Sequence, residues 1–221
     1  MLILAHRGDH EHAPENSLSA IEAARARGFD GVEIDLRLSA DGQLVLQHDR
    51  VTPQGREVAQ LARNDLQQHA GHAVASLPEV LACLPPHFLL NIEIKVPAAA
   101  PALERLLRSV KARPQLMLSS FHHAVVMRLS QNLNLPGGYL LAHQPADLAA
   151  CLRCLQRSAA VQTLIWDFDI VDETLLQRTH ELGWQNWVYG PGTIQEHTWL
   201  HQQPVSAMIT DHAAALQLRQ P

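Results

Sequence analysis

Short β-type runs alternate with helical patterns from one end of the chain to the other, and this alternation restricts the fold more than any other feature. Strand patterns fall at 2–6, 31–36, 89–95, 115–120, 138–141, 162–166, 185–189 and 207–210. Helical patterns follow them at 17–27, 77–84, 101–112, 122–131, 145–157, 171–182, 193–201 and 213–218. Parallel strands need a long crossover, usually a helix, so strict alternation argues for a parallel sheet. Eight such units can close into a (β/α)₈ TIM barrel, and 221 residues lies near the low end of that fold's size range. The expected class is therefore α/β, with one barrel domain over 1–221. An open, doubly wound sheet is the alternative. A chain of this length buries about 70% of its unfolded surface, enough for a core without disulfide or metal staples.

One element interrupts the alternation. Asp41-Gly42 stands between Leu36-Arg37-Leu38 and Gln43-Leu44-Val45-Leu46. Asp-Gly between alternating residues predicts a β-hairpin with a two-residue loop. That register sets His48 opposite Asp35, beside the C-terminal end of the second strand. The following segment, 49–75, has no clear core pattern and reads as a short insertion over the barrel mouth. Predicted strand 138–141 is the weakest of the eight.

Composition narrows the function classes. No apolar run approaches 18 residues, which argues against a membrane span. Met1 leads straight into Leu2-Ile3-Leu4-Ala5 with no basic region before it, so a cytoplasmic protein without a secretory signal is expected. A formal net charge of −5 argues against a nucleic-acid partner but leaves room for a small anionic ligand in a local positive pocket. The three cysteines suit a reducing compartment. Cys151 and Cys154 form a C-x-x-C without a second pair, so ordinary helix packing is expected for them.

Active sites of such barrels gather at the C-terminal strand ends. The first strand ends in His6-Arg7-Gly8, the second carries Glu33-Ile34-Asp35, the hairpin ends in His48-Asp49, and the third barrel strand carries Glu93-Ile94-Lys95. Side chains two apart share a strand face, so Glu33, Asp35, Glu93 and Lys95 all point inward. Three converging carboxylates cannot all stay ionised there without compensation. One divalent cation is the natural solution, and all-oxygen ligation favours Mg²⁺ or Ca²⁺ over zinc. Arg7 and Lys95 supply positive charge for a phosphate. His6 and His48 supply imidazoles, the side chain suited to acid–base work near neutrality. The reaction class that uses all of these is phosphodiester cleavage.

With these residues in hand, the sequence resembles the glycerophosphodiester phosphodiesterase family. The likeness runs through His6-Arg7-Gly8, Pro14-Glu15-Asn16-Ser17, Gly31 to Asp35, Asp41-Gly42, His48-Asp49, Leu77 to Leu81 and Asn91 to Lys95. Looser echoes follow at Ser120-Phe121 and Ile209-Thr210-Asp211. The resemblance implies the TIM barrel with its insertion, and hydrolysis of small glycerophosphodiesters to glycerol 3-phosphate and an alcohol, a step of lipid and glycerol metabolism. It implies Glu33, Asp35 and Glu93 as ligands of a Mg²⁺ or Ca²⁺ ion, with Mn²⁺ possible. It implies His6 and His48 as the catalytic pair, and Arg7 and Lys95 as substrate-binding residues. The resemblance also implies that the substrate's glycerol 2-hydroxyl attacks phosphorus, forming a cyclic phosphate and releasing the alcohol, and that water then hydrolyses the cyclic phosphate. Glu15 belongs to the motif as a possible site residue, and Asn16 is expected to cap the first helix.

Two stretches depart from the family pattern: Trp187-Val188-Tyr189-Gly190 in the seventh strand, and His212-Ala213 after Asp211. They bear on the alcohol end of the pocket rather than on the metal or histidine residues. Asp167 and Asp169 are extra acids without an assigned role. Among the remaining histidines, His10, His12 and His122 stand near strand ends, and the others are expected in solvent. Two further readings use the same barrel. One is a lysophospholipase-D-like hydrolase, which would need an apolar entry or a basic amphipathic helix that 49–75 does not show. The other is a non-catalytic phosphodiester-binding module, which has no use for two histidines beside the metal residues. Oligomeric state is not encoded in any of these features.

Overall fold

The computed structural model describes residues 1–110, 113–155 and 158–218. The parts of the predicted helices at 111–112 and 156–157, and residues 219–221 of the expected domain, lie outside the described residues. Nine strands are present among the described residues: β1 (Leu2–His6), β2 (Gly31–Leu38), β3 (Leu44–Leu46), β4 (Leu89–Ile94), β5 (Gln115–Ser120), β6 (Gly137–Leu141), β7 (Val161–Asp167), β8 (Gln185–Tyr189) and β9 (Ala207–Thr210). Eight of them form a parallel ring. The ring closes because β1 pairs with β9 on one side and with β2 on the other. The antiparallel strand β3 hangs on β2 outside the ring. The α/β barrel expected from alternation is the fold, and the open sheet is excluded by this closure.

Helices α1 (Leu18–Arg27), α3 (Leu77–Cys83), α4 (Ala100–Ser109), α5 (His123–Leu133), α6 (Leu148–Leu155), α7 (Glu173–Glu181) and α8 (Ile194–His201) return the chain between ring strands, while α2 (Arg63–Ala70) lies in the inserted segment. The apolar partners of the period-two pattern, such as Ile34, Ile92 and Leu118, are fully buried in the core cluster that also holds Ile21, Val80 and Leu103 from the helices. Inside the barrel a smaller cluster of Leu4, Met117, Leu140, Ile165, Trp187, Ala207 and Ile209 forms an apolar layer. Gly138 sits in that layer, where a Cβ would come within 2.7 Å of Ile165 and 2.8 Å of Met117. The glycine that weakens this strand's sequence signal is what lets the interior side chains fill the barrel.

Several local expectations are corrected. The hairpin loop has three residues, not two: Ser39 pairs with Gln43, and Gly42 closes the loop at φ +75°. A type I turn followed by a left-handed glycine is the other common hairpin solution. The register therefore shifts by one, and Gln47 rather than His48 faces Asp35, its N–H 3.0 Å from the Asp35 carbonyl. The segment after the hairpin does carry a core: Val58, Leu61, Leu66 and Val74 pack with Val45. Its elements, a one-turn 3₁₀ helix at Val58–Gln60 and the eight-residue α2, are too short to show the periodicity that a sequence pattern needs. Asn16 does not cap α1; Ser17 does, its hydroxyl accepting from the Ala20 N–H. The final helical pattern, at 213–218, forms a 3₁₀ helix rather than an α-helix.

His197, expected in solvent, is 1% exposed beneath the C-terminal end of β9. Its Nδ1 donates to the Thr193 carbonyl, and its Nε2 lies 2.8 Å from the Thr210 hydroxyl. Burial holds its pKa below the ordinary histidine value. The unfolded chain takes up a proton near pH 6.5, while the folded chain resists it. This stability is complete above that pH and is lost as the pH falls, by up to about 1.4 kcal/mol per pH unit. Urea unfolding at pH 7.5 and 5.5 should show a loss that His197→Gln reduces; an equal loss in both proteins would remove His197 as its source.

Candidate active site

β1, β2 and β4 lie side by side in the ring, so their inward residues meet. His6 is in register with Glu33, and Asp35 with Glu93. One carboxylate oxygen from each of Glu33, Asp35 and Glu93 can be chosen so that all lie within 4.8 Å of one another. Glu33 and Asp35 are 3% and 1% exposed. All three side chains come from strand positions that alternation points inward, which is why sequence periodicity found them.

Two cations answer this negative charge. Lys95 Nζ is 2.8 Å from Glu93 Oε1 and 3.3 Å from Asp35 Oδ1. Arg7 Nε is 3.2 Å from Asp35 Oδ2, and the Arg7 N–H donates to Glu33 Oε2 at 3.2 Å. Arg7 takes a positive φ of 55°, which turns both its backbone N–H and its guanidinium toward the acids. Glu15 then accepts from the Arg7 guanidinium at 3.0 Å, so its part is to hold Arg7.

The environments of the acids differ. Burial raises the Glu33 carboxyl well above its ordinary range, helped by the Asp35 and Glu93 charges and opposed by Arg7. Burial also raises Glu93, against the pull of Lys95. For Asp35 burial acts upward too, but Lys95, Arg7 and the Asn16 hydrogen bond together outweigh it and hold the carboxyl low. Burial would pull Lys95 down; the Glu93 and Asp35 charges outweigh it and raise it. Glu33 Oε1 is buried and accepts no hydrogen bond from the protein, and Asp35 Oδ1 faces only the Lys95 ammonium at 3.3 Å. Three converging, largely buried carboxylates, one with an oxygen that has no donor, fit a hard divalent cation with oxygen ligands.

His6 and His48 line the same cavity as these groups, a space of about 210 Å³. His6 Nδ1 is 2.8 Å from Asp211 Oδ1, and His48 Nδ1 is 2.9 Å from Asp49 Oδ1. An ionised carboxylate only accepts, so each Nδ1 carries the hydrogen and each Nε2 is left for other work. His6 Nε2 lies 4.0 Å from Glu33 Oε2. Asp211 also accepts from His10 Nε2 at 3.0 Å; although burial acts upward, the two imidazoles outweigh it and hold the Asp211 carboxyl well below its ordinary range.

Sequence reasoning missed several members of this site. Asn16, at φ 57°, donates to Asp35 Oδ2 at 2.8 Å and accepts from the Asp35 N–H at 3.0 Å. Arg37 extends the inward series of Glu33 and Asp35 by one more step of two. Its guanidinium donates to the His48 carbonyl at 2.6 Å and to the Gln47 carbonyl at 3.2 Å. The period-two rule that found Asp35 would have found Arg37. Asn91, in register with Glu33, and Ser119, in register with Glu93, also line the cavity, and Phe121, Leu140 and Tyr189 line its apolar side. The Tyr189 hydroxyl donates to Asp167 at 3.0 Å, which gives that extra acid a partner. Asp169 is tied to Asp167 through its own N–H. His12 is exposed beside Glu11, and His122 is exposed before α5; neither lines the cavity. Cys83, Cys151 and Cys154 are free thiols.

The whole chain superposes on solved barrels. A glycerophosphodiester phosphodiesterase from Thermotoga maritima matches with a TM-score of 0.84 at 22% identity, covering 99% of this chain and 98% of that one. An Oleispira antarctica phosphodiesterase, solved with the product sn-glycerol-3-phosphate, matches with a TM-score of 0.85 at 21% identity, covering 98% and 97%. At such identities the likeness is one of fold. By sequence, the chain is 31% identical over 142 residues to a glycerophosphodiester phosphodiesterase of Caldanaerobacter subterraneus subsp. tengcongensis and 30% identical over 142 residues to one of Bacillus altitudinis. Each alignment covers 55% of this chain, and the chain spans only 58% of those relatives' length. Residues 6–215, from the first site histidine to beyond the last strand, match one sequence family, and on that span the chain belongs to the glycerophosphoryl diester phosphodiesterase family.

Proposed function

We propose that this protein is a divalent-metal-dependent phosphodiesterase that cleaves small glycerophosphodiesters to glycerol 3-phosphate and an alcohol. The observation that carries the reading is one cavity holding His6, His48, Arg7 and Lys95 around the Glu33–Asp35–Glu93 cluster. Charge supports it. Three carboxylates against two fixed cations leave one negative charge, and a divalent cation turns that into one positive charge. A phosphodiester carries a single negative charge, so the loaded site is matched to it. Glu33, Asp35 and Glu93 would hold the ion, with Mg²⁺, Ca²⁺ or Mn²⁺ all compatible with oxygen ligands. When bound, such an ion supplies Lewis-acid polarisation of a phosphate oxygen.

The residues of the chain then divide the work. Arg7 and Lys95 orient the phosphate by charge-assisted hydrogen bonds. One imidazole Nε2 takes the proton of the glycerol 2-hydroxyl as its oxygen bonds to phosphorus. The other imidazole, protonated, gives its proton to the leaving alcohol oxygen as the bond from phosphorus to that oxygen breaks. In the second step the roles reverse: water adds to phosphorus, the ring bond to the 2-oxygen breaks, and glycerol 3-phosphate leaves. Asp211 and Asp49 keep both rings in the tautomer that leaves Nε2 free. The cavity volume suits a small diester better than a lysophospholipid. Among the described residues no helix is long and apolar enough to cross a membrane. Three free thiols suit the cytoplasm.

The test supplies glycerophosphocholine and glycerophosphoethanolamine with each metal and follows glycerol 3-phosphate by a coupled dehydrogenase. Metal-dependent release of glycerol 3-phosphate is expected, and its absence with every metal and headgroup would defeat the reading. Arg37 offers a separate check. Its hydrogen bonds hold the backbone that carries His48, and a misplacement near 1 Å costs about 10²-fold in rate. Arg37→Met is expected to lower kcat to about that extent with little change in KM, and Arg37→Lys to recover part of it. Unchanged kcat in Arg37→Met would release Arg37 from this role.

A further inference from the structure

Asp211 is the first residue after β9, and its carboxylate is shared between two rings. Ala5 lies in register with Thr210, so the next residues, His6 and Asp211, come side by side at the rim of the barrel. Asp211 Oδ1 is 2.8 Å from His6 Nδ1 and 3.0 Å from His10 Nε2. A carboxylate only accepts, so both nitrogens carry hydrogens aimed at that one oxygen. Among the described residues the Asp211 side chain has no other donor or cationic partner. It is 45% exposed. A half-exposed aspartate held by one donor loses little by swinging into water, whereas a second charge-assisted bond to the same oxygen fixes its direction.

His10 is itself held in place. It lies in the loop between β1 and α1, and both of its sequence neighbours pair with Arg27, the last residue of α1. Arg27 Nε is 2.9 Å from Asp9 Oδ2, and Arg27 Nη1 donates to Glu11 Oε2 at 2.6 Å. The Asp9 N–H also donates to the Ala20 carbonyl at 2.9 Å. Anchored on both sides, the loop presents residue 10 to Asp211. The same loop supplies Glu15 to Arg7 and Asn16 to Asp35, so it already braces two other residues of the site. His10 does not line the cavity, so any effect on the chemistry passes through Asp211.

We propose that His10 is a positioning residue, which clamps Asp211 Oδ1 so that Asp211 holds the His6 ring with its Nε2 on the Glu33 side. This rests on the acid–base part of the reading above and adds to it a residue outside the cavity.

The test is a double-mutant cycle with glycerophosphocholine as substrate and Mg²⁺, Ca²⁺ or Mn²⁺, whichever gives most turnover. His10→Ala is expected to lower kcat about 10-fold and leave KM within about twofold. In an Asp211→Ala background, already slowed about 10²-fold, the same change should alter kcat less than about twofold, because the link is gone. His10→Gln sets an amide N–H as many bonds from Cα as the imidazole Nε2 and should recover most of the loss. His10→Asn sets its amide where Nδ1 stands and should recover none. The His6 tautomer gives a readout without substrate. Imidazole ¹⁵N shifts in Mg²⁺, at a pH where the ring is neutral, should report Nδ1–H in wild type and His10→Gln, and a mixture in His10→Ala. His10→Ala should fold, since the His10 side chain is 31% exposed and lies outside the core clusters. An unchanged or raised kcat in His10→Ala, an equal loss in both backgrounds, or a loss confined to KM would overturn the role and leave the parent activity standing. A wild type that turns over no glycerophosphodiester defeats the parent reading instead, and the His6 tautomer then decides the His10 link by itself.

Discussion

His6→Ala and His48→Ala are each expected to lower kcat on a glycerophosphodiester by about 10²- to 10⁴-fold, the range that general acid–base groups contribute. The melting temperature should stay close to wild type in both. The reason is local. His6 and His48 side chains are 24% and 35% exposed, and neither is packed into the core clusters. Each ring makes one anchored hydrogen bond, through Nδ1 to an aspartate, and Asp211 keeps His10 as a second donor when His6 is removed. The two losses should not multiply in the double variant, because both imidazoles act in the same proton-transfer steps. Steady-state kinetics with thermal melts would decide this. Full activity in either single variant, at an unchanged melting temperature, removes that histidine from the mechanism.

The acid cluster should separate stability from activity. Glu33→Gln and Asp35→Asn are both expected to reduce turnover below detection, since each removes one of the carboxylates assigned to the metal. Their effects on the metal-free fold should have opposite signs. Glu33 is a buried carboxylate beside two others, with one oxygen accepting no hydrogen bond, so making it neutral relieves repulsion and desolvation. Asp35 instead faces Lys95 Nζ at 3.3 Å and Arg7 Nε at 3.2 Å. Neutralising it leaves both cations short of a partner, and breaking a buried pair from one side costs about 3–5 kcal/mol. Glu33→Gln should therefore melt at or above the chelated wild type, and Asp35→Asn about 10 °C below it. Adding a divalent ion at 100 times its Kd should stabilise wild type by about 2.7 kcal/mol and neither variant. A metal-induced shift that survives in Glu33→Gln and Asp35→Asn alike would place the ion elsewhere.

Much of the site is legible in the sequence. Glu33, Asp35, Glu93 and Lys95 could be placed inside the barrel because strand side chains alternate strictly and their neighbours Ile34 and Ile94 are apolar. The same rule reaches Arg37, although an arginine at a strand end ordinarily reads as solvent-facing charge. Asn16 and Asp211 were not legible as partners of Asp35 and His6. Asn16 lies 19 residues from Asp35, and Asp211 lies 205 residues from His6. No local period links such pairs; the closure of β1 against β2 and β9 does. The hairpin register failed for a related reason. Asp41-Gly42 suits either a two- or a three-residue loop, and the choice rests on Ser39, whose hydroxyl accepts from the Gln43 N–H at 3.0 Å. His48 still reaches the cavity because the loop is short in either case.

The alternation of short strand and helix patterns determined the α/β class and its eight repeated units, since hydrophobic periodicity is a local property that each segment carries by itself. It also determined which acids and cations face the interior. Tertiary structure alone decided which groups touch: that Arg7 and Lys95 compensate Asp35 while Glu33 is left raised, that an aspartate just after the last strand orients the first strand's histidine, and that Asn91 and Ser119 stand unpaired in the cavity wall. Those outcomes depend on distances across the ring, and ring closure is set by all eight strands together rather than by any one of them.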